Sequence, residues 1–155
     1  MKRSKPTKSP RIVSEQILWS RAEDETTPMH VIKLVYLCHG WMLGIFDRPL
    51  INEPVEAWRY GPVVPSVYHT YKAFRGNPIT TVPIDQVDCF DEEESLIIDG
   101  VLEAYREYTP WMLSSITHQP NTPWAQVYSS GIGHGAIVPN ELIKEYYHKR
   151  ANAKS

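Results

Sequence analysis

The residues of this 155-residue chain that could do chemistry are six histidines, two cysteines and a few serines and clustered acids. A catalytic or metal-binding site needs such groups at spacings that converge. His30, His39, His69, His118, His134 and His148 form no HxxxH, HxH or HExxH pattern, so no metal site is expected. Cys38 and His39 are neighbours, but adjacent residues on a helix point about 100° apart and do not make a nucleophile–base pair. Cys38 lies in a very apolar run and is expected to be a buried free thiol. Cys38 and Cys89 are too few and too far apart for a disulfide framework or a zinc site. Ser114 and Ser115 sit within reach of His118, yet the sequence supplies neither an orienting acid nor an oxyanion site. "GIGHG" (131 to 135) has the letters of a phosphate loop but no strand before it, and reads as a turn. Asp91 to Glu94 sit at a helix start, where the dipole accounts for them. No catalytic constellation and no cofactor are expected. What remains is aromatic: Trp58, Tyr60, Tyr68, Trp111, Trp124 and Tyr128 lie near turns and helix starts. Such residues anchor cores and, at a rim, protein interfaces.

The elements that must position these groups are mainly helical. "IVSEQILWSRAE" (12 to 23) has helical apolar spacing. "TPMHVIKLVYLCHGWMLGIF" (27 to 46) starts with an N-capping Thr and a Pro, then is apolar nearly all round, so it belongs at the centre of a domain. His39 shares a face there with Ile32, Val35, Tyr36 and Leu43, which makes it a core histidine. Lys33, Gly40 and Gly44 form a thinner stripe, and the two glycines would let another element approach closely. "VEAW" (55 to 58) is a short strand. In "EAWRYGPVVPSVYHTYKAF" (56 to 74), the residues before Pro62 and Pro65 are pushed out of the α region. The stretch is therefore strand, rigid corner, helix. Residues 75 to 90 read as a loop with at most a short strand or hairpin arm. Residues 91 to 108 read as a helix with a capping box from Asp91 and Glu94. Thr109-Pro110 and Thr122-Pro123 open two more helices, and a Gly-rich turn (130 to 136) precedes a last one at 139 to 151. The expected fold is a mainly α, compact bundle of five to seven helices around a buried central helix, with a small strand or hairpin element.

Charge and length set the remaining bounds. The chain is long enough for one domain with a real core. Net charge is −2, but residues 1 to 11 hold five Lys/Arg and no acid, leaving 11 Lys/Arg against 18 Asp/Glu elsewhere. A basic flexible tail (1 to 11), a single domain (12 to 151) and a frayed end (152 to 155) are expected. An acidic body argues against nucleic acid as the main ligand. The tail lacks an apolar h-region, and no charge-free run of 18 apolar residues suggests a membrane span, so the cytoplasm is the default.

The motifs resemble one family. Lys33, Leu34, Tyr36, His39, Gly40 and Trp41 fit a "KLxYxxHGW" helix. Pro49, Leu50, Glu53 and then "EAWRYGPVVPSVY" fit "PLxxExxEAWxYGPVxPxVY". "LSSITHQPNTPWAQVY" and "IVPNELIKEYY" fit its later segments. The chain resembles the Panacea domain (SocA-like, phage-associated) family from about residue 27 to 148. The resemblance implies an antitoxin of a toxin–antitoxin system, found in prophages and mobile elements, that neutralises a cognate toxin from a neighbouring gene by direct contact. Its alternative is a proteolytic adaptor that delivers a toxin to a cellular protease. No enzymatic activity is implied. Trp58, Arg59, Tyr60, Pro62 and Tyr68 are then candidate partner contacts, and His39, Gly40, Trp41, Gly61, Pro65, His118 and Trp124 are motif residues of the fold. The other reading of the corner is a structural joint with Trp58 and Tyr60 mostly buried. In that case contacts fall to the 75 to 90 loop, the acidic 91 to 94 turn or the basic tail.

Overall fold

Helix α2 (Pro28–Phe46) is the axis of the molecule, and most of its residues are buried. It has the length and apolarity of a membrane-crossing helix, but here it is a core helix wrapped by protein. A computed structural model describes residues 5–153. Around α2 pack α1 (Pro10–Ser20), α3 (Pro65–Tyr71), α4 (Glu92–Ala104), α5 (Pro110–Thr117) and α7 (Asn140–Asn152), while α6 (Pro123–Tyr128) closes one end. The small sheet has the order β2-β1-β3, from β1 (Val55–Trp58), β2 (Gly61–Val63) and β3 (Ile137–Val138). Both pairings are antiparallel, with Trp58 opposite Gly61 and Glu56 opposite Ile137. The fold is mainly α, as the sequence leads one to expect.

The helix starts follow one device. Thr27, Thr109 and Thr122 accept hydrogen bonds from the third residue of their helices, with Pro in the first turn. Ser9 does the same for α1 through Ile12 N. The first helix therefore begins at Pro10, two residues earlier than its apolar spacing suggested. Asp91 and Glu94 form the capping box of α4 as expected. That helix stops at Ala104 rather than 108. Tyr105 leaves helical geometry there, and its hydroxyl accepts from Trp41 Nε1 at 3.0 Å. The 75 to 90 stretch holds no strand, only short turns, and Gln86 ties its end to Glu15 and Gln16 on α1.

The contact that lets α7 lie on α2 is glycine packing. A Cβ on Gly40 would fall 2.5 Å from Tyr147 Cε2. One on Gly44 would fall 2.6 Å from the Tyr147 carbonyl carbon and 2.7 Å from His148 N. His148 Nδ1 meets Gly44 O at 3.1 Å, and Trp41 packs on the Tyr147 ring at 5.0 Å. Here the two glycines fill the role their spacing implied.

The basic segment before α1 is not a free leader where it is described; residues 1 to 4 lie outside the described residues. Lys8 forms a parallel bridge with Ile51. Its side chain is buried and reaches both oxygens of the fully buried Glu94 at 3.1 and 3.2 Å. Arg48 completes the cluster on Asp91 and Glu93, both at 2.9 Å. Lys5 also bonds to this turn, through Asp91 Oδ2 and Asp88 O. The expected tail thus becomes a strap from residue 5, because a buried carboxylate needs a cation and the nearest one in space is Lys8. At the other end α7 runs to Asn152, and residues 154 and 155 lie outside the described residues.

Four substitutions test these contacts by urea unfolding. Gly44→Ala meets backbone on α7, so it should destabilise by about 1–3 kcal/mol despite the better helix propensity of Ala. Gly40→Ala meets only a ring and should cost less. Lys8→Ala should cost about 1–3 kcal/mol, because it leaves buried Glu94 with only the longer pair to Arg48 at 3.5 Å. Arg11→Ala removes an exposed i,i+4 pair with Glu15 and should cost under about 0.5 kcal/mol.

Candidate functional site, a clamped hairpin beside a cationic cleft

The turn between β1 and β2 contains Arg59 and Tyr60, and its backbone is fixed from beneath. Three side chains from three helices hold alternate carbonyls. Trp124 Nε1 on α6 donates to Trp58 O at 2.5 Å. Ser114 Oγ on α5 donates to Tyr60 O at 2.8 Å. Lys33 Nζ on α2 donates to Pro62 O at 2.9 Å. Gly61 adopts φ 119°, a region that favours glycine, and a Cβ there would lie 2.8 Å from Lys33 Nζ. Pro62 lies on an edge strand, where its missing N–H breaks no ladder bond. Pro65 starts α3.

The side chains of the same residues separate into two groups. Pro62 and Gly61 are buried. Trp58 is half-buried, donates to Glu56 Oε1 at 3.0 Å and meets the Tyr68 ring edge-on at 5.0 Å. Tyr60 is 52% exposed, and the Arg59 guanidinium lies over its ring at 5.4 Å. Tyr68 is exposed beside them. The structure therefore brings Trp58, Arg59, Tyr60 and Tyr68 to one surface and turns Pro62 inward.

That surface borders a cleft of about 420 Å³. Its apolar side is formed by Met29, Ile32 and Val63 with the three aromatic rings. Lys33, Arg59, Lys72, Arg75 and His134 also line it, and no carboxylate does. Lys33 is almost fully buried, and burial brings its amine down to about 7. Lys72 and His134 are not among the sequence candidates, and Arg75 is among them only through the 75 to 90 loop. Tyr68, Lys72 and Arg75 are spaced four and three apart, a same-face signal that was present in the sequence. His134 comes from the Gly-rich turn, and only the folding of that turn against β1 brings it near.

The remaining motif residues hold the frame. His39 is fully buried. Its Nδ1 accepts from the backbone N–H groups of Leu50 and Ile51 at 3.3 and 3.4 Å, so Nε2 carries the proton and donates to Asn140 Oδ1 at 2.9 Å. Gly40 and Trp41 carry α7. His118 Nδ1 bonds to Ser114 O and its ring packs edge-on against Trp124 at 5.4 Å. With Ser114 Oγ given to Tyr60 O, these groups do not form a nucleophile–base pair. Cys38 is fully buried, and burial pushes its thiol well above the usual range. Among the described residues no three His, Cys, Asp or Glu side chains converge as a metal site.

The sequence profile described as "Antitoxin SocA-like, Panacea domain" matches residues 31–125. The chain belongs to that family. The match runs from α2 into α6 and includes Lys33, Ser114 and Trp124, all three side chains that clamp the hairpin. The antitoxin SocA of Caulobacter vibrioides (strain NA1000 / CB15N) is 26% identical over 128 residues, covering 74% of this chain and 68% of that protein. No solved structure matches.

The buried histidines set a pH dependence. Burial holds His39 down to about 4, against a smaller opposing pull from Asn140. His30 is also held at about 4, by burial and then by the charge of Arg21. A folded pKa below the unfolded value near 6.5 means that the unfolded chain binds more protons between the two. The histidine contribution to stability should be complete above about pH 6.5 and fall as pH drops toward 4, with His39 alone contributing on the order of 3 kcal/mol. Urea unfolding from pH 7 to 4 checks this, and His39→Gln should give a lower but flatter profile.

Proposed function

We propose that this chain is an antitoxin that neutralises a cognate toxin, encoded by a neighbouring gene, by direct protein–protein binding in the cytoplasm. The reading makes it a non-catalytic binder, with the tip of the β1–β2 hairpin as its contact surface. Membership of the antitoxin SocA-like family supports the class of function. The observation that carries the surface is the clamped hairpin: Trp58 O, Tyr60 O and Pro62 O are each held from below, while Arg59 and Tyr60 face solvent. A fixed backbone loses little entropy when a partner docks, and exposed Tyr and Arg are the side chains that dominate interface energetics.

The test is co-expression with the neighbouring reading frame, followed by a growth assay and pull-down. The neighbour should arrest growth alone and be rescued in a complex with this chain. Tyr60→Ala should weaken that complex by about 2 kcal/mol, roughly 30-fold, with Tm unchanged. Undiminished binding by Tyr60→Ala and Arg59→Ala would move the contact surface elsewhere. A harmless neighbour that does not co-purify would remove the antitoxin reading. Faster degradation of the neighbour by a purified cellular protease when this chain is added would make it an adaptor instead.

A further inference from the structure

The cleft beside the hairpin gathers cations that have no acid. Lys8, Arg11, Arg48, Lys144 and Lys149 each form salt bridges with carboxylates. Lys33, Arg59, Lys72 and Arg75 form none among the described residues. Lys33 spends one donor on Pro62 O, Arg59 rests on the Tyr60 ring, and Lys72 meets only His69 Nδ1 at 3.2 Å. The chain carries more acids than Lys and Arg, 18 against 16, so a carboxylate-free cluster of four is not the composition's default. Lys33 is the sharpest case. It is 2% exposed with no carboxylate partner among the described residues, against the usual rule that buried ionisable groups are paired.

We propose that this cleft seats an acidic side chain of the protein partner, a Glu or Asp flanked by an apolar residue. The inference rests on the direct-binding reading above and names the chemistry the partner brings. Arg59, Lys72 and Arg75 meet the carboxylate at the rim. Lys33 adds an amine from below, already anchored to Pro62 O. The rings of Trp58, Tyr60 and Tyr68, with Met29, Ile32 and Val63, take the apolar flank. Charge complementarity selects the occupant: a carboxylate entering here neutralises cations that the fold leaves unpaired, and steering by such a field raises the association rate. The acidic remainder of the body disfavours a nucleic acid backbone in the same place. The aromatic wall, continuous with the exposed Tyr60, favours a peptide side chain over a bare ion.

Two arms test this. In the first, the full chain is titrated with N-acetyl-glutamyl-phenylalanine amide and with its glutaminyl counterpart. The indole N–H signal of Trp58 is followed by NMR, assigned with Trp58→Phe. The glutamyl probe should shift this signal, and the combined Arg59→Ser, Lys72→Ser and Arg75→Ser variant should abolish the shift. Equal response to both probes, or none to either, overturns the proposal. In the second arm the same triple variant is tested against the neighbouring gene's product. These three side chains are exposed, so wild-type Tm is expected. Binding should weaken at least tenfold, roughly 1.4 kcal/mol or more, and wild-type binding should weaken with added salt. Affinity within about threefold of wild type overturns the acidic seat while leaving direct binding intact. Failure of the wild-type chain to bind that product overturns the partner reading, and the titration alone then decides the chemistry of the cleft.

Discussion

The partners that two buried polar side chains of the central helix find across the fold organise this molecule. Helix α2 carries Lys33 and His39 into the core. Leaving either unsatisfied would cost a few kcal/mol. Lys33 finds the carbonyl of Pro62, which pins the hairpin to the helix. His39 finds two backbone amides after Pro49 and the side chain of Asn140, which pins the approach to β1 and the start of α7. Gly40 and Gly44 let α7 settle on the same helix. Elements far apart in sequence thus share one support.

The hairpin shows how one stretch serves both fold and surface. Its carbonyls point inward to Trp124, Ser114 and Lys33, while Arg59 and Tyr60 point out. A structural joint and an exposed face are not alternatives here, because backbone and side chains answer to different requirements. Half-buried Trp58 belongs to both, with its carbonyl in the clamp and its ring against Tyr68.

Charge is divided in the same way. In the Lys8, Arg48, Asp91, Glu93 and Glu94 cluster every charge has an opposite partner, and the cluster closes the N-terminal strap over the start of α4. The acids and bases of that region are spent on the fold. The cleft cations Arg59, Lys72 and Arg75 form no salt bridge among the described residues, and this difference in pairing is what the proposed acidic seat rests on.

By itself the sequence determined the elements whose signals are local. Thr-Pro and Asp-x-x-Glu starts, the all-round apolar run of α2 and the proline-bounded corner depend on neighbours a few residues away, and they can be read in order along the chain. The small side chains of Gly40 and Gly44 also announced a close approach, though not which element would make it. Tertiary structure alone decided what lies across the gaps: that β3 joins β1, that Lys8 reaches Glu94, that Ser114 and Trp124 close on Tyr60 and Trp58. It also turned Pro62 inward and brought Lys72, Arg75 and His134 to the cleft. Such pairings are fixed by which buried groups can satisfy one another in three dimensions, and no periodicity along the chain encodes that.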